Sequence, residues 1–155
     1  MSVDLTQAGP AAARWNAPGL TVLESLVLDL SGITTSATIT AITVPAGFLV
    51  FGCAFIQSEL VDGTSPTASV GVTATAAAVY PATNVDGFID NIALDSLTWV
   101  ATKKTSGHAD EDFGIEGGVG GVLFPVENTI DLYVSVTGTT TTGAGKLYAW
   151  GIQLY

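Results

Sequence analysis

The chain has 155 residues, of which 48 % are hydrophobic and 12 % charged, with four basic residues against fourteen acids for a formal charge of −10. That is enough chain for one domain with a substantial core, and it is too apolar for a disordered tail. The acidic balance leaves no Lys/Arg footprint for nucleic acid and disfavours an anionic membrane surface.

The first nineteen residues stand apart from the rest of the chain. Gly9, Pro10, Pro18 and Gly19, with a cluster of alanines, argue against a strand, so 1–19 reads as an extended arm and 20–155 as a folded domain. Inside the arm Arg14 and Trp15 lie side by side. Two readings are open for it: a frayed terminus, or an arm laid on a neighbouring subunit with Trp15 as its anchor. The opening has no basic stretch followed by an apolar one, which predicts synthesis in the cytoplasm.

Next come "LTVLESLVLDL" and "ATITAITV", aliphatic or β-branched runs parted by "SGITTS", and both read as strands. Pro45-Ala46-Gly47 then punctuates the start of "GFLVFGCAFIQSEL". That run is apolar on both faces from Phe48 to Ile56, as expected of a central strand covered on both sides. It is too short to span a membrane. Cys53 within it reads as a buried small hydrophobe, and as the single cysteine it excludes an intrachain disulfide.

The stretch "DGTSPTASVG" is a rigid turn leading into another strand, and "TATAAAVYPAT" is a short helix or irregular crossover ended by Pro81. "DSLTWVATKK" places Leu97, Trp99 and Ala101 on one face before emerging at Lys103 and Lys104. "GVLFPVEN" is a short strand stopped by Pro125. In "TIDLYVSVT", Ile130, Leu132, Val134 and Val136 share one face, the period of a half-buried strand. After "GTTTTGAG", Tyr148, Trp150, Ile152 and Leu154 share a face opposite Leu147, Ala149, Gly151 and Gln153. Two strands around a Gly/Thr loop predict a C-terminal hairpin.

Roughly eight short strands with regular turn signals predict an all-β antiparallel β-sandwich of jelly-roll-like topology. Long amphipathic helical stretches are missing, which excludes βαβ architectures.

The candidate chemistry is sparse. "GHADEDFGIE" gathers His108, Asp110, Glu111, Asp112 and Glu116, but the spacing does not fit a calcium loop of the EF-hand kind, and it reads as a solvated acidic loop. His108 has no nucleophile motif to serve. "GIEGGVGGV" does not read as a phosphate-binding glycine pattern, so its glycines serve a bend, a bulge or a close approach. Neither a catalytic set, nor a metal site, nor a cofactor site is expected. Lys103 and Lys104 fit solvation or contact with an acidic neighbour. Tyr148 and Trp150 fit burial in a core or interface, or stacking on a sugar.

The order of "VPAGFLVFGCAFI", "DGTSPTASVGV", "FPVENTIDLYVSV", a Gly/Thr loop and "GKLYAWGIQLY" resembles small β-sandwich structural proteins of tailed-bacteriophage head and tail modules, most of all capsid decoration (cement) proteins. The resemblance covers Ala37 to Val72 and Val122 to Tyr155. It implies a homotrimer on the outer capsid surface, bound to the major capsid protein and holding the shell against packaged DNA. It also gives Asp62 to Gly71 a purely structural role, in which Gly63 relaxes the turn, Pro66 fixes φ, and Thr64 and Ser65 serve local backbone groups. The interface candidates are Arg14, Trp15, Lys103, Lys104, Tyr148 and Trp150. A phage tail, neck or fibre-associated protein and a carbohydrate-binding β-sandwich are the alternatives.

Overall fold

A computed structural model describes residues 19–74, 81, 83–101 and 121–155. Among them are ten strands and no helix: β1 (Thr21–Glu24), β2 (Leu28–Asp29), β3 (Ser36–Val44), β4 (Phe48–Glu59), β5 (Thr64–Val72), β6 (Asn84–Ala93), β7 (Trp99–Ala101), β8 (Val122–Phe124), β9 (Asn128–Thr137) and β10 (Ala144–Gln153). They form two antiparallel sheets. One has the order β1-β10-β4-β7, with β2 also beside β10 and β8 also beside β4; the other has the order β3-β9-β5-β6.

The core lies between the sheets and arises from alternation. Ile130, Leu132, Val134 and Val136 of β9 all point inward, as their period of two requires. They meet Phe48, Val50, Phe55, Leu147 and Ala149 from the facing sheet. Each such large side chain contributes roughly 1.5–3 kcal/mol through the water it leaves.

β4 is the central strand expected, flanked by β10 on one side and by β7 and β8 on the other. Its alternation changes phase midway. Trp150 pairs with Gly52 and Gly151 with Val50, so Phe51 is the extra residue of a bulge. Core positions therefore run Phe48, Val50, then Cys53, Phe55 and Gln57. The expectation of full cover on both faces is corrected. Leu49, Phe51 and Ala54 on the far face are half-buried and Ile56 is exposed, because the second sheet packs on one side of β4 and not the other.

The predicted C-terminal hairpin is also corrected. β9 and β10 lie in opposite sheets. Alternation cannot distinguish a hairpin from a crossover; the loop between them does. Thr140 is buried there, its hydroxyl donating to Leu30 O at 2.7 Å and accepting from Ile33 N at 2.9 Å. Beside it, the Asp62 carboxylate accepts from the backbone N–H groups of Thr141 and Thr142. The loop is thus tied to two other loops and bridges the end of the sandwich.

The opening of β5 differs in detail as well. Gly63 is required by packing, since a Cβ there would stand 2.0 Å from Val136 Cγ2, and the residue with positive φ is Ser65. β6 had no counterpart among the strands expected from sequence. Gly87, Phe88 and Ile89 are buried in succession, Asn91 takes φ of 49°, and the register with β5 shifts twice. The period of two is broken too often to be read.

Candidate functional site

The outward face of the six-stranded sheet is where the apolar side chains accumulate. Rows across it are set by the register. Val22 of β1, Trp150 of β10 and Gly52 of β4 form one row, and Glu24, Tyr148 and Ala54 the next. Ile152 pairs with Leu49, and Leu49 with Leu123. Lys146 pairs with Ile56, and Ile56 with Trp99.

Gly52 permits the centre of this face. A Cβ at that position would stand 2.6 Å from Trp150 Cζ2, so the indole lies directly on the bare backbone of β4. Next to it Tyr148 OH donates to Glu24 Oε1 at 3.4 Å, and Lys146 Nζ forms an ion pair with the same carboxylate. Hydrogen bonding to Glu24 raises the Lys146 pKa above its ordinary value. The pair is partly solvated, so its worth is small and its effect is to fix the two side chains.

Beyond this row the face becomes open and apolar. Ile56 is 45 % and Trp99 72 % exposed, and Leu97, two residues before Trp99, is 63 % exposed. Lone exposed hydrophobes are ordinary, but these adjoin one another and continue a half-buried aromatic face, so they form an apolar patch. Burial holds the Cys53 thiol well above its usual pKa, which keeps it un-ionised and unreactive. Among the described residues no three His, Cys, Asp or Glu side chains gather as metal ligands do.

The other sheet presents a different surface. A groove of about 480 Å³ runs over it, lined by the hydroxyl residues Ser36, Thr38, Thr67, Ser69, Tyr133 and Ser135. Burial raises the Tyr133 pKa, so its phenol stays neutral and hydrogen-bonds Thr73 and, at 3.5 Å, the buried Asp131.

Of the residues singled out in the sequence, Tyr148 and Trp150 are brought together on the outward apolar face, half-buried and not in the core. Arg14, Trp15, Lys103, Lys104, the acidic loop 108–116 and most of "TATAAAVYPAT" lie outside the described residues. Ile56 belongs to the face but was hidden from sequence reasoning, because the bulge at Phe51 decides which way it points. Asp62 was missed as the residue that organises two loops; its partners Thr141 and Thr142 are some eighty positions away, beyond any local pattern.

No family model matches the chain, and no curated protein matches it. Among solved structures it is similar to a chain in the capsid of Ralstonia phage GP4, with a TM-score of 0.55 at 16 % identity over 89 % of this chain and 86 % of that one. It also aligns with a chain in the cyanophage Pam1 capsid asymmetric unit, with a TM-score of 0.49 at 18 % identity over 95 % of this chain and 98 % of that one. At such identities the likeness to the first is one of fold.

Proposed function

We propose that this chain is a virion structural protein, a decoration or cement protein that binds the outside of a phage capsid and stabilises the shell against the pressure of its DNA. The observation that carries the reading is the open apolar face around Ile56 and Trp99, on a fold shared with a chain in the Ralstonia phage GP4 capsid. Two sheets ordered β1-β10-β4-β7 and β3-β9-β5-β6 interleave as in a jelly roll, an architecture used by viral capsid domains. A fold is not a function, so the surface bears the greater weight.

The partner is the major capsid protein, and three copies close around a three-fold axis through heterologous contacts. Binding draws on buried apolar anchors multiplied by avidity. The arm, with Arg14 and Trp15, and the Lys103-Lys104 pair supply further contacts to neighbouring subunits. The charge of −10 offers nothing to packaged DNA, in keeping with an outer position. The protein acts by binding and not by catalysis.

The test is reconstitution. Capsids lacking this protein are mixed with the purified chain, and image reconstruction and heat-induced DNA release are recorded. Three copies around each occupied three-fold position, with DNA retained to higher temperature, are expected. Density on the tail or neck alone would overturn the decoration reading.

A further inference from the structure

The outward face of the four-stranded sheet carries a grid of hydroxyl groups, and the register sets it in two rows across three strands. Ser36, Ser135 and Thr67 form one row, and Thr38, Tyr133 and Ser69 the next. Every member of both rows bears a hydroxyl, on strands about 4.7–4.9 Å apart. All six residues line the groove of about 480 Å³, a volume inside the range of about 300–1,000 Å³ for small-molecule sites. The side chains of Ser36, Thr38, Thr67 and Ser135 make no hydrogen bond to the chain, so their hydroxyls are free to serve a ligand.

Beside the grid lies a buried carboxyl. Asp131, Tyr133 and Ser135 alternate along β9 with the core residues Ile130, Leu132 and Val134, so Asp131 leaves the strand on the groove's face. It stands one row on from Tyr133, whose hydroxyl donates to Asp131 Oδ2 at 3.5 Å. Asp131 is 2 % exposed, yet its Oδ1 has no hydrogen-bond donor within the chain. Neither neighbour in its row supplies one: Gly71 has no side chain, and the Thr40 hydroxyl is not bonded to it. Buried polar atoms are nearly always paired, so an orphan carboxyl oxygen beside a groove is a place for a donor from outside the chain.

We propose that this groove binds a neutral saccharide, whose hydroxyls pair with the grid and with Asp131 Oδ1 and whose ring lies against Tyr133. A hydroxyl both donates and accepts, so a polyhydroxylated ligand can satisfy serine, threonine and tyrosine side chains at once. The aromatic ring set among them adds apolar area for the C–H face of a sugar. Other ligand classes fit less well. Anionic ligands, sialylated and sulfated glycans among them, meet a chain of −10. Its one basic residue among those described, Lys146, is paired with Glu24 on the other sheet. A metal ion lacks its cage, since no three His, Cys, Asp or Glu gather among the described residues. An apolar ligand would leave the hydroxyls unpaired. The site lies on the opposite sheet from Tyr148 and Trp150, and it stands independently of the virion reading.

The test applies the full-length protein to an array of neutral gluco-, manno-, galacto- and N-acetylglucosamine oligosaccharides beside sialylated and sulfated glycans. Calorimetry then gives Kd for the strongest hit. Retention on at least one neutral oligosaccharide is expected, and none on the anionic set. The double variant Thr38→Val, Ser135→Ala removes two hydroxyls that the chain itself does not use. It should weaken that binding by about tenfold or more with the circular dichroism unchanged. Ser58→Ala, at an exposed position of β4 in the other sheet, should bind as wild type does. Binding to no neutral oligosaccharide at millimolar concentration would overturn the inference, and so would equal binding by wild type and the double variant. Loss of binding in a folded Trp150→Ala variant would also overturn it, by putting the site on the other sheet.

Discussion

Asp62 shows how one exposed side chain can organise two loops. It accepts hydrogen bonds from the Thr141 hydroxyl and from the backbone N–H groups of Thr141 and Thr142, which hold its pKa down at about 2. A depressed carboxylate contributes stability above its ordinary pKa, and that contribution is lost as pH falls from about 4 toward 2. Asp62→Asn should therefore melt at a lower temperature than wild type at neutral pH. The gap should close as pH drops through that window, which a series of thermal melts would record. A gap that persists unchanged at pH 2 would mean the charge is not what the loop uses. Gly52 is the second such residue. Gly52→Ala drives a methyl into the Trp150 indole and should cost about 1–3 kcal/mol, as overpacking does. In a Trp150→Leu background the same change should cost clearly less, because the ring it strikes is gone; chemical denaturation of the four proteins gives this coupling.

At the scale of elements, β4 separates what holds the fold from what the fold presents. Phe55 and Ile56 are neighbours on opposite faces, one fully buried and one 45 % exposed. Phe55→Ala should lose about 3–5 kcal/mol of stability. Ile56→Ser should lose little stability, about 0.5–1 kcal/mol, and act on binding instead. Equal losses for the two would mean that the outward face is structural. The sandwich itself was legible because β9 keeps a strict period of two and β4 is a long apolar run. β6 was not legible, since its bulges destroy the period. The pairing of β9 and β10 was misread because a Gly/Thr loop looks the same in a hairpin and a crossover. Thr140, held beneath residues 30–33, and the hydrogen bonds of Thr141 and Thr142 to Asp62 distinguish them. The aromatic pair Tyr148 and Trp150 was visible in sequence, but its direction was not. Both faces of β10 read as apolar, and the small residues Ala149 and Gly151 are the ones that face inward with Leu147.

At the scale of the whole molecule, a low-charge sandwich presents one apolar sheet face and one hydroxyl-lined face. In the proposed decoration role, each meets a different neighbour. In the proposed reading the eighteen residues ahead of Gly19 serve as an arm, and fully extended they would reach roughly 60 Å, at about 3.3–3.6 Å per residue, more than the width of a domain of this size. Deleting 1–19 should leave the circular dichroism of the sandwich unchanged and weaken capsid binding by roughly 2–4 kcal/mol if Trp15 is its anchor. Equal binding by the truncated chain would reduce the arm to a frayed terminus. Capsid binding through the apolar face is tested most directly by co-sedimentation with capsids that lack this protein, comparing wild type with the double variant Ile56→Asp, Trp99→Asp. Wild type should pellet with the capsids at a saturating stoichiometry, and the folded double variant should stay in the supernatant. Wild type that does not pellet, or a double variant that pellets as well as wild type, would contradict it.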